Sequence, residues 1–223
     1  VDFSAAQEAM DETGVSLSCI LFGSADPAVK EALGPGIVRA EGKDAFLRMI
    51  EETLEAALKL RCKNICVTTG NAQADLSREQ QRANVVSALS AAAPMLSGTG
   101  VKIVLEPLNV LVDHKGYFLT STEDTISILN EVGSPDVLML FDIYHQQITE
   151  GNIINNLRAH MDQIGHIHVA DVPGRKEPGT GELNYANIFK AIDDAGYKGF
   201  VALECGLSRD LDTVCKQMLA LVP

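Results

Sequence analysis

The 223-residue chain has little basic charge, and its cysteines are few. Its 18 Lys and Arg residues are outnumbered by 30 Asp and Glu residues, which gives a formal net charge of −12. This charge argues against nucleic acid or an anionic membrane surface as the main partner, although it leaves small anionic substrates open. No apolar run approaches the ~18 residues of a transmembrane helix. The first residues lack the basic and apolar segments of a signal peptide, so we expect none.

The five cysteines are an odd number at irregular spacing. They are Cys19, Cys62, Cys66, Cys205 and Cys215. A chain of this length with 46% hydrophobic residues can bury one sizeable core without disulfide bonds. We therefore expect reduced thiols in a cytoplasmic compartment. Cys62 and Cys66 could form half of a zinc site, but no second cysteine pair accompanies them, which favours core thiols.

Short β-rich runs alternate with amphipathic helical segments along the chain. The predicted strands are Ser16–Leu21, Asn64–Thr68, Val101–Glu106, Val137–Asp142, Gly165–Ala170 and Gly199–Glu204. Apolar residues at helical spacing between them are Phe46, Leu47, Ile50, Leu54 and Leu58; Val85, Val86, Leu89 and Leu96; Ile126, Leu129 and Val132; Ile153, Ile154, Leu157 and Met161; and Ile188, Phe189 and Ile192. Ser77 and Gln80 form a capping-box pattern before the second of these helices. The alternation indicates an α/β fold with a parallel sheet.

The choice of α/β architecture depends on where the reactive side chains fall. No G-x-G-x-x-G pattern follows the first strand, which disfavours a dinucleotide-binding open sheet. Candidate residues instead lie at four consecutive strand ends, as in a barrel. We therefore predict a single (β/α)₈ TIM-barrel domain over residues 1–223. Six strands are visible where the barrel needs eight, so we expect the N-terminal βαβ portion, with the first one or two strands, to be absent from this chain.

Four ionisable residues occupy these strand ends. Glu106, Asp142 and Glu204 each end a predicted strand, and His168 lies in the strand between the last two. Successive members are separated by 36, 26 and 36 residues, about one βα unit each, so their side chains can converge at the mouth of the barrel. Unpaired carboxylates at such a distance would repel, whereas a divalent cation would hold them together. Oxygen-rich ligation with one imidazole indicates Mg²⁺ or Mn²⁺, with Co²⁺ or Zn²⁺ as alternatives.

For each strand-end acid taken alone, capping a helix or pairing with Lys or Arg is the competing interpretation.

The remaining histidines are assigned roles outside the metal site. His166 shares a strand face with His168 but lies one layer deeper, so we expect a hydrogen-bonded interior histidine. His160 is predicted to be structural within a helix, and His114 to be a solvated loop residue.

Several segments around these residues resemble one known family. They are Glu106–Asn109 (EPLN), Phe141–Gln146 (FDIYHQ), Ile164–Arg175 (IGHIHVADVPGR) and Glu177–Tyr185 (EPGTGELNY). With them the chain resembles the xylose-isomerase-like TIM-barrel superfamily and, within it, the hydroxypyruvate isomerases. The similarity extends over most of the chain from about residue 36 onward. Two departures accompany it: the family's first strand, helix and strand have no counterpart here, and many hydroxypyruvate isomerases have Gln in place of His168.

The resemblance implies both a ligand set and a reaction. Glu106, Asp142, His168 and Glu204 would bind the metal. Glu106 and Glu204 would also exchange the substrate proton. His145 and Arg175 would contact substrate oxygens. The implied reaction converts a small hydroxy-carbonyl compound, hydroxypyruvate to tartronate semialdehyde, through a metal-stabilised enediolate.

Other activities remain open at this stage. A ketose 3-epimerase, or another sugar isomerase, would use the same metal and the same two acids. An endonuclease on this fold would need further His and Asp ligands and a basic groove, which the charge of −12 and five His disfavour. A non-catalytic metal-binding relative is a third alternative. The expected partner is a small molecule, with neither nucleic acid nor membrane, and a homo-oligomer stays open.

Overall fold

A computed structural model describes residues 3–222 of the chain. The strands of this part are β1 (Ile20–Leu21), β2 (Asn64–Val67), β3 (Lys102–Leu105), β4 (Val137–Asp142), β5 (Ile164–Val169) and β6 (Val201–Leu203). Its α-helices are α1 (Phe3–Thr13), α2 (Pro27–Leu33), α3 (Lys43–Lys59), α4 (Arg78–Leu96), α5 (Thr122–Val132), α6 (Ile143–Thr149), α7 (Ile153–His160), α8 (Tyr185–Asp194) and α9 (Leu211–Leu219). Two 3₁₀ turns cover Ala40–Gly42 and Met161–Gln163.

The six strands form one parallel sheet in the order β1 to β6. Each predicted strand is present, and the predicted α/β class is confirmed. Strand β1 is shorter than the predicted Ser16–Leu21, because only Ile20 and Leu21 pair with β2. Next to them the side chain of Asn64 donates to the carbonyl oxygen of Ser18 at 2.9 Å. Within the described residues β1 and β6 are the two edges of the sheet.

The two faces of the sheet carry different packing. One face joins the helices in a single large core that includes Ile65, Ile103 and Phe141. The other face carries a small apolar cluster of Cys66, Val104 and Leu140. A Cβ added at Gly165 on β5 would stand 2.7 Å from Cγ1 of Val104, two strands away. The sheet therefore curls toward this second face, and only glycine fits at position 165.

The residues of the predicted apolar helix stripes are buried or half-buried, with one exception. Val85, Val86, Leu89 and Leu96 on α4 are at most 9% exposed. The capping box is also confirmed, since the Ser77 side chain accepts from the Gln80 backbone N–H while the Gln80 side chain accepts from that of Ser77. One stripe residue was predicted wrongly: Leu58, in the last turn of α3, is 50% exposed. The buried face of α3 continues through that turn at Ala56 and Ala57, and Leu58 lies beside it.

All five cysteines are free thiols, as predicted. Cys62 and Cys66 are both buried, but their sulfur atoms have different partners. Cys62 donates to the carbonyl oxygen of Asn64, and Cys66 donates to a carboxylate oxygen of Glu106. The two therefore do not form half of a zinc site. No helix in residues 3–222 combines the length and apolar character needed to cross a membrane.

Candidate metal and substrate site

The four predicted strand-end residues come together at the carboxyl edge of the sheet. Asp142 is the last residue of β4 and His168 lies near the end of β5. Glu106 and Glu204 follow β3 and β6 directly. Each of these four residues offers one ligand atom, and those atoms all lie within 4.8 Å of one another.

Ladder hydrogen bonds continue past the last strand residues and hold the two glutamates. The backbone N–H of Glu106 donates to the carbonyl oxygen of Val67 at 3.0 Å, and that of Glu204 donates to Val169 at 3.1 Å. The two glutamate backbones are thus extensions of the sheet rather than free loop residues. The position of both carboxylates follows from the parallel register, as expected for a site at barrel strand ends.

Three buried atoms of this cluster have no hydrogen-bond partner among the described residues. They are Oε1 of Glu106, Oδ2 of Asp142 and Nδ1 of His168. Buried polar atoms are nearly always satisfied, so three such atoms in one place require an explanation. Carboxylate oxygens and an imidazole nitrogen are the ligands that Mg²⁺, Mn²⁺ and related ions take. The donor set and its unmet bonds therefore fit a divalent cation.

Asp142 divides its two oxygens between a helix and the cluster. Its Oδ1 caps α6, accepting from the backbone N–H of Tyr144 at 2.8 Å and of His145 at 3.3 Å. Its Oδ2 faces the cluster. Burial raises the pKa of Asp142, and the carboxylates of Glu106 and Glu204 raise it further. A metal cation bound here would favour the ionised carboxylate of Asp142 and so oppose this rise in its pKa.

His168 lies between the two glutamates. Its Nδ1 is 3.7 Å from Oε1 of Glu106 and 3.4 Å from Oε2 of Glu204. Burial lowers the pKa of His168, but the two carboxylates outweigh burial and raise it to about 10. Burial in turn raises the pKa of Glu204, whereas His168 and Arg175 lower it to about 2. Without a cation, the site therefore holds a charged imidazole among carboxylates.

Arg175 reaches this cluster from the loop after β5. Its Nη2 lies 2.7 Å from Oε2 of Glu204 and 3.9 Å from Oδ2 of Asp142. Its guanidinium carbon is 5.0 Å from the centre of the Tyr144 ring. The backbone of Arg175 has φ of 52°, an unfavourable conformation for a residue with a side chain. The backbone of the loop is thus strained at the residue that directs the Arg175 guanidinium toward the site.

Asp171 organises the loop that carries Arg175. Its carboxylate accepts from the backbone N–H groups of Val172 at 2.9 Å, Gly179 at 2.8 Å and Leu183 at 3.1 Å. A Cβ at Gly181 would lie 2.1 Å from the carbonyl oxygen of Val172, so glycine is required there. These contacts hold together the loop between β5 and α8, which contains the end of the Ile164–Arg175 segment and most of the Glu177–Tyr185 segment of the sequence resemblance.

His145 is the second predicted substrate contact, and it is fully buried at the start of α6. Its Nε2 lies 3.6 Å from Oδ2 of Asp142 and 3.3 Å from Nη2 of Arg175. Burial lowers the pKa of His145 to about 3, and the nearby guanidinium of Arg175 acts in the same direction. His145 is therefore a neutral ring that faces the cluster.

The other histidines agree only in part with the predictions. His166 is buried, as expected, and its ring centre is 4.9 Å from that of His168. The predicted hydrogen bond of His166 is wrong, since neither ring nitrogen has a partner among the residues that the structure describes. His114 is half-buried against His145 instead of solvated. His160 ends α7, as predicted, and contacts Glu123 at 3.3 Å.

Four residues that support the site had no role in the sequence analysis. Cys66 donates its thiol hydrogen to Oε2 of Glu106 at 3.4 Å. Asp113 accepts from the hydroxyl of Tyr144 and from the amide of Asn109, both at 2.8 Å. Asn109 lies within the EPLN motif, which was the only signal for it. Cys66 had been interpreted from the sequence only as a core thiol, with half of a zinc site as the alternative, so its bond to Glu106 was not predicted.

The comparisons with known proteins agree with this geometry. Residues 2–219 match the family model described as xylose isomerase-like TIM barrel. Over 170 residues the chain is 38% identical to a 2-oxo-tetronate isomerase of Cupriavidus necator, covering 76% of this chain and 65% of the relative. It is 36% identical to a hydroxypyruvate isomerase of Escherichia coli, covering 76% of this chain and 66% of the relative. These matches span slightly less than two thirds of either relative's length.

One solved structure supports the fold alone. The crystal structure of AP endonuclease, family 2, from Brucella melitensis superposes with a TM-score of 0.87 at 23% identity. The superposition covers 100% of this chain and 85% of that one. Similarity at this identity says nothing of a shared substrate.

Proposed function

Because the chain belongs to the xylose isomerase-like TIM-barrel family, we propose that it is a metal-dependent isomerase of small hydroxy-carbonyl acids. The membership confirms the family resemblance and the barrel fold that the sequence predicted. Hydroxypyruvate, with tartronate semialdehyde as product, is the proposed substrate. The relative named hydroxypyruvate isomerase supports this choice.

One observation carries the proposal. Four residues from consecutive βα units each offer a ligand atom within 4.8 Å of the others, and three of these residues carry a buried ligand-type atom with no hydrogen-bond partner among the described residues. Helix capping and ion pairing do not account for this, because Oδ1 of Asp142 caps α6 while Oδ2 has no hydrogen bond among the described residues and lies 3.9 Å from the guanidinium of Arg175. We infer that Glu106, Asp142, His168 and Glu204 bind one divalent cation, Mg²⁺ or Mn²⁺, with Co²⁺ or Zn²⁺ as alternatives. When bound, such a cation supplies positive charge that stabilises an enediolate.

The two glutamates are the proposed proton carriers. In the reaction a proton leaves C3 of hydroxypyruvate and a proton is added to C2, while the C3 hydroxyl proton moves to the oxygen on C2. Glu204 is half-exposed, and its lowered pKa keeps it ionised at neutral pH, as a base requires. Glu106 is held on the other side of His168, with one oxygen fixed by Cys66. Proton removal and return are assigned to this pair.

Arg175 and His145 are the proposed substrate contacts. The guanidinium of Arg175 lies beside Glu204, where it can bind a substrate carboxylate through two parallel hydrogen bonds. His145 is neutral and faces the same space. Both hydroxypyruvate and 2-oxo-tetronate carry a carboxylate beside an oxo group. The relative named 2-oxo-tetronate isomerase therefore makes 2-oxo-tetronate the second candidate substrate.

The five free thiols support a reducing, cytoplasmic location.

Proton NMR of hydroxypyruvate in D₂O tests the proposal. With the full chain and Mg²⁺, we expect conversion to tartronate semialdehyde with deuterium at C2, and no conversion when EDTA replaces the metal. Turnover of 2-oxo-tetronate alone would move the assignment to that acid. Deuterium exchange in a ketose without aldehyde formation would identify a 3-epimerase instead. Exchange that persists in EDTA would contradict the metal-dependent mechanism.

A further inference from the structure

The hydrogen bonds of Asn109 determine which way its side-chain amide points. Its Oδ1 accepts from the backbone N–H of Val112 at 3.0 Å and of Asp113 at 3.2 Å. Its Nδ2 donates to Oδ2 of Asp113 at 2.8 Å. Turning the amide over would set its NH₂ group against two N–H donors and its carbonyl against a carboxylate. The contacts therefore agree that the amide presents its NH₂ group to His145.

The Nδ1 atom of His145 faces two donors from Asn109. The backbone N–H of Asn109 lies 3.3 Å from Nδ1, and its Nδ2 lies 2.7 Å away. Both groups can only donate, so Nδ1 must supply a lone pair. A ring with a proton on Nδ1, neutral or charged, would place a third N–H against these two. Because Asn109 and His145 are both fully buried, water cannot easily relieve such a clash.

The ring proton therefore belongs on Nε2, which points into the candidate site. The nearest acceptor is Oδ2 of Asp142 at 3.6 Å, an atom with no hydrogen-bond partner among the described residues. Nη2 of Arg175 also lies 3.3 Å from Nε2, but it donates to Glu204 at the shorter distance of 2.7 Å. A neutral imidazole has one lone-pair nitrogen, and the two donors of Asn109, one of them at 2.7 Å, outweigh the single longer contact.

We propose that Asn109 is a positioning residue that holds His145 as the Nε2–H tautomer, so that His145 donates a hydrogen bond to a substrate oxygen. The inference rests on the proposed function, in which His145 contacts the substrate. It adds the direction of that contact. A ring locked in this way stabilises negative charge on a carbonyl or hydroxyl oxygen and does not act as the base, which leaves proton transfer to the glutamates.

Nitrogen NMR of the full chain with ring-labelled histidine tests the tautomer directly. The protein is loaded with Mg²⁺, and the His145 signals are assigned by their loss in His145→Gln. At neutral pH we expect an unprotonated Nδ1 and a protonated Nε2. A proton on Nδ1 of the wild-type ring would overturn the proposal, and this result needs no variant at position 109.

Asn109→Asp replaces the NH₂ donor with an acceptor of the same shape. We expect the proton to move to Nδ1, and kcat/KM for hydroxypyruvate to fall about 10- to 100-fold. Asn187→Asp makes the same charge change at an exposed position of α8 and should alter neither readout. An Asn109→Asp ring that keeps its proton on Nε2 would contradict the role of Asn109. Because the spectrum requires no turnover, an inactive protein with the expected tautomer would instead contradict the proposed function.

Discussion

Glu106 and Glu204 belong to one cluster, yet their surroundings are opposite. The Glu106 side chain is 8% exposed, and among the described residues its carboxylate accepts a hydrogen bond only from the weak thiol donor of Cys66. The Glu204 side chain is 47% exposed and is paired with the guanidinium of Arg175 at 2.7 Å. His168 lies between them, 3.7 Å from the first carboxylate and 3.4 Å from the second. Glu106 is therefore buried with little to balance its negative charge, whereas Glu204 is accessible and its charge is balanced by Arg175.

This contrast suggests a division of labour between two residues of the same type. A buried carboxylate without a strong donor gains most from a bound cation, because the ion relieves its burial cost. An accessible carboxylate held ionised by Arg175 can meet a substrate and take its proton. We therefore assign Glu106 chiefly to metal binding and Glu204 chiefly to proton removal, although both residues bind the metal and both exchange protons.

The largest expected effect comes from removing either carboxylate. Glu204→Gln and Glu106→Gln should each slow deuterium exchange of hydroxypyruvate by about 10²- to 10⁴-fold. Saturating Mg²⁺ should leave the Glu204→Gln defect in place, because that defect is mainly the lost base. NMR in D₂O measures both rates, with Glu55→Gln on the exposed side of α3 as the control. Normal exchange in Glu204→Gln would remove Glu204 from the proton transfer.

Arg175→Met tests what holds the accessible carboxylate. A hydrogen-bonded charge is worth about 1.5–3 kcal/mol, so we expect KM for hydroxypyruvate to rise about 10- to 100-fold. Removing the guanidinium also raises the pKa of Glu204, which should move the acidic limb of the pH–rate profile upward. Steady-state kinetics compare Arg175→Met with Arg158→Met, which is exposed on α7. A similar loss with dihydroxyacetone, which has no carboxylate, would argue against carboxylate recognition.

Because His168 is charged in the metal-free protein, we expect the metal affinity to depend on pH. A ligand imidazole must be neutral, whereas in the metal-free protein the pKa of His168 is raised from 6.5 to about 10. Metal binding should therefore release about one proton near pH 8, and affinity should rise about tenfold per pH unit. Calorimetry in buffers of different ionisation enthalpy measures the release. His168→Gln should bind without it, and release that persists in this variant would assign the proton to another group.

The same shift predicts how the metal-free protein responds to alkali. Because the folded-state pKa of His168 is raised, its stabilising contribution is complete below 6.5 and is lost as the pH rises through about 10. Thermal unfolding in EDTA should thus show Tm falling over this range. His168→Gln should lack that component, and an identical fall in the variant would contradict the assignment.

The smallest expected effect concerns the thiol that fixes Glu106. Cys66→Ala removes the donor to Oε2 and should weaken Mg²⁺ binding by a few fold, since one hydrogen bond is worth about 0.5–1.5 kcal/mol. Cys62→Ala removes another buried thiol, which packs in the large core and donates to the carbonyl oxygen of Asn64 rather than to Glu106. Titration calorimetry should separate the two. Equal weakening in both would indicate a general packing effect.

The positions of the four ligands could be predicted because they depend on one regular feature. Parallel strands end at one edge, and a βα unit recurs about every 30 residues in this chain, so strand-end acids and His168 must meet there. The buried faces of the helices could also be predicted, because apolar residues recur there at a regular helical spacing. Prediction failed at Leu58 in the last turn of α3, which is 50% exposed beside the buried Ala57, because apolar spacing alone does not separate the buried face of a helix from its edge.

The supporting contacts could not be predicted because they depend on loop conformation. Asn109 reaches His145 only because residues 109–114 turn back and satisfy its carbonyl. The orientation of Arg175 depends on a backbone with φ of 52° in a loop that Asp171 organises. His166 was expected to have a hydrogen bond because buried imidazoles usually do, and the curled inner face offers it none among the described residues.

Mn²⁺ binding followed by electron paramagnetic resonance tests the central claim most directly. We expect one tight Mn²⁺ site per wild-type chain. Asp142→Asn should weaken that site more than about 100-fold, since even outer contacts of a metal site are worth about 10- to 100-fold. Asp44→Asn, at an exposed position of α3, should bind like the wild type. Wild-type affinity in Asp142→Asn would contradict the assignment of the four strand ends as a metal site.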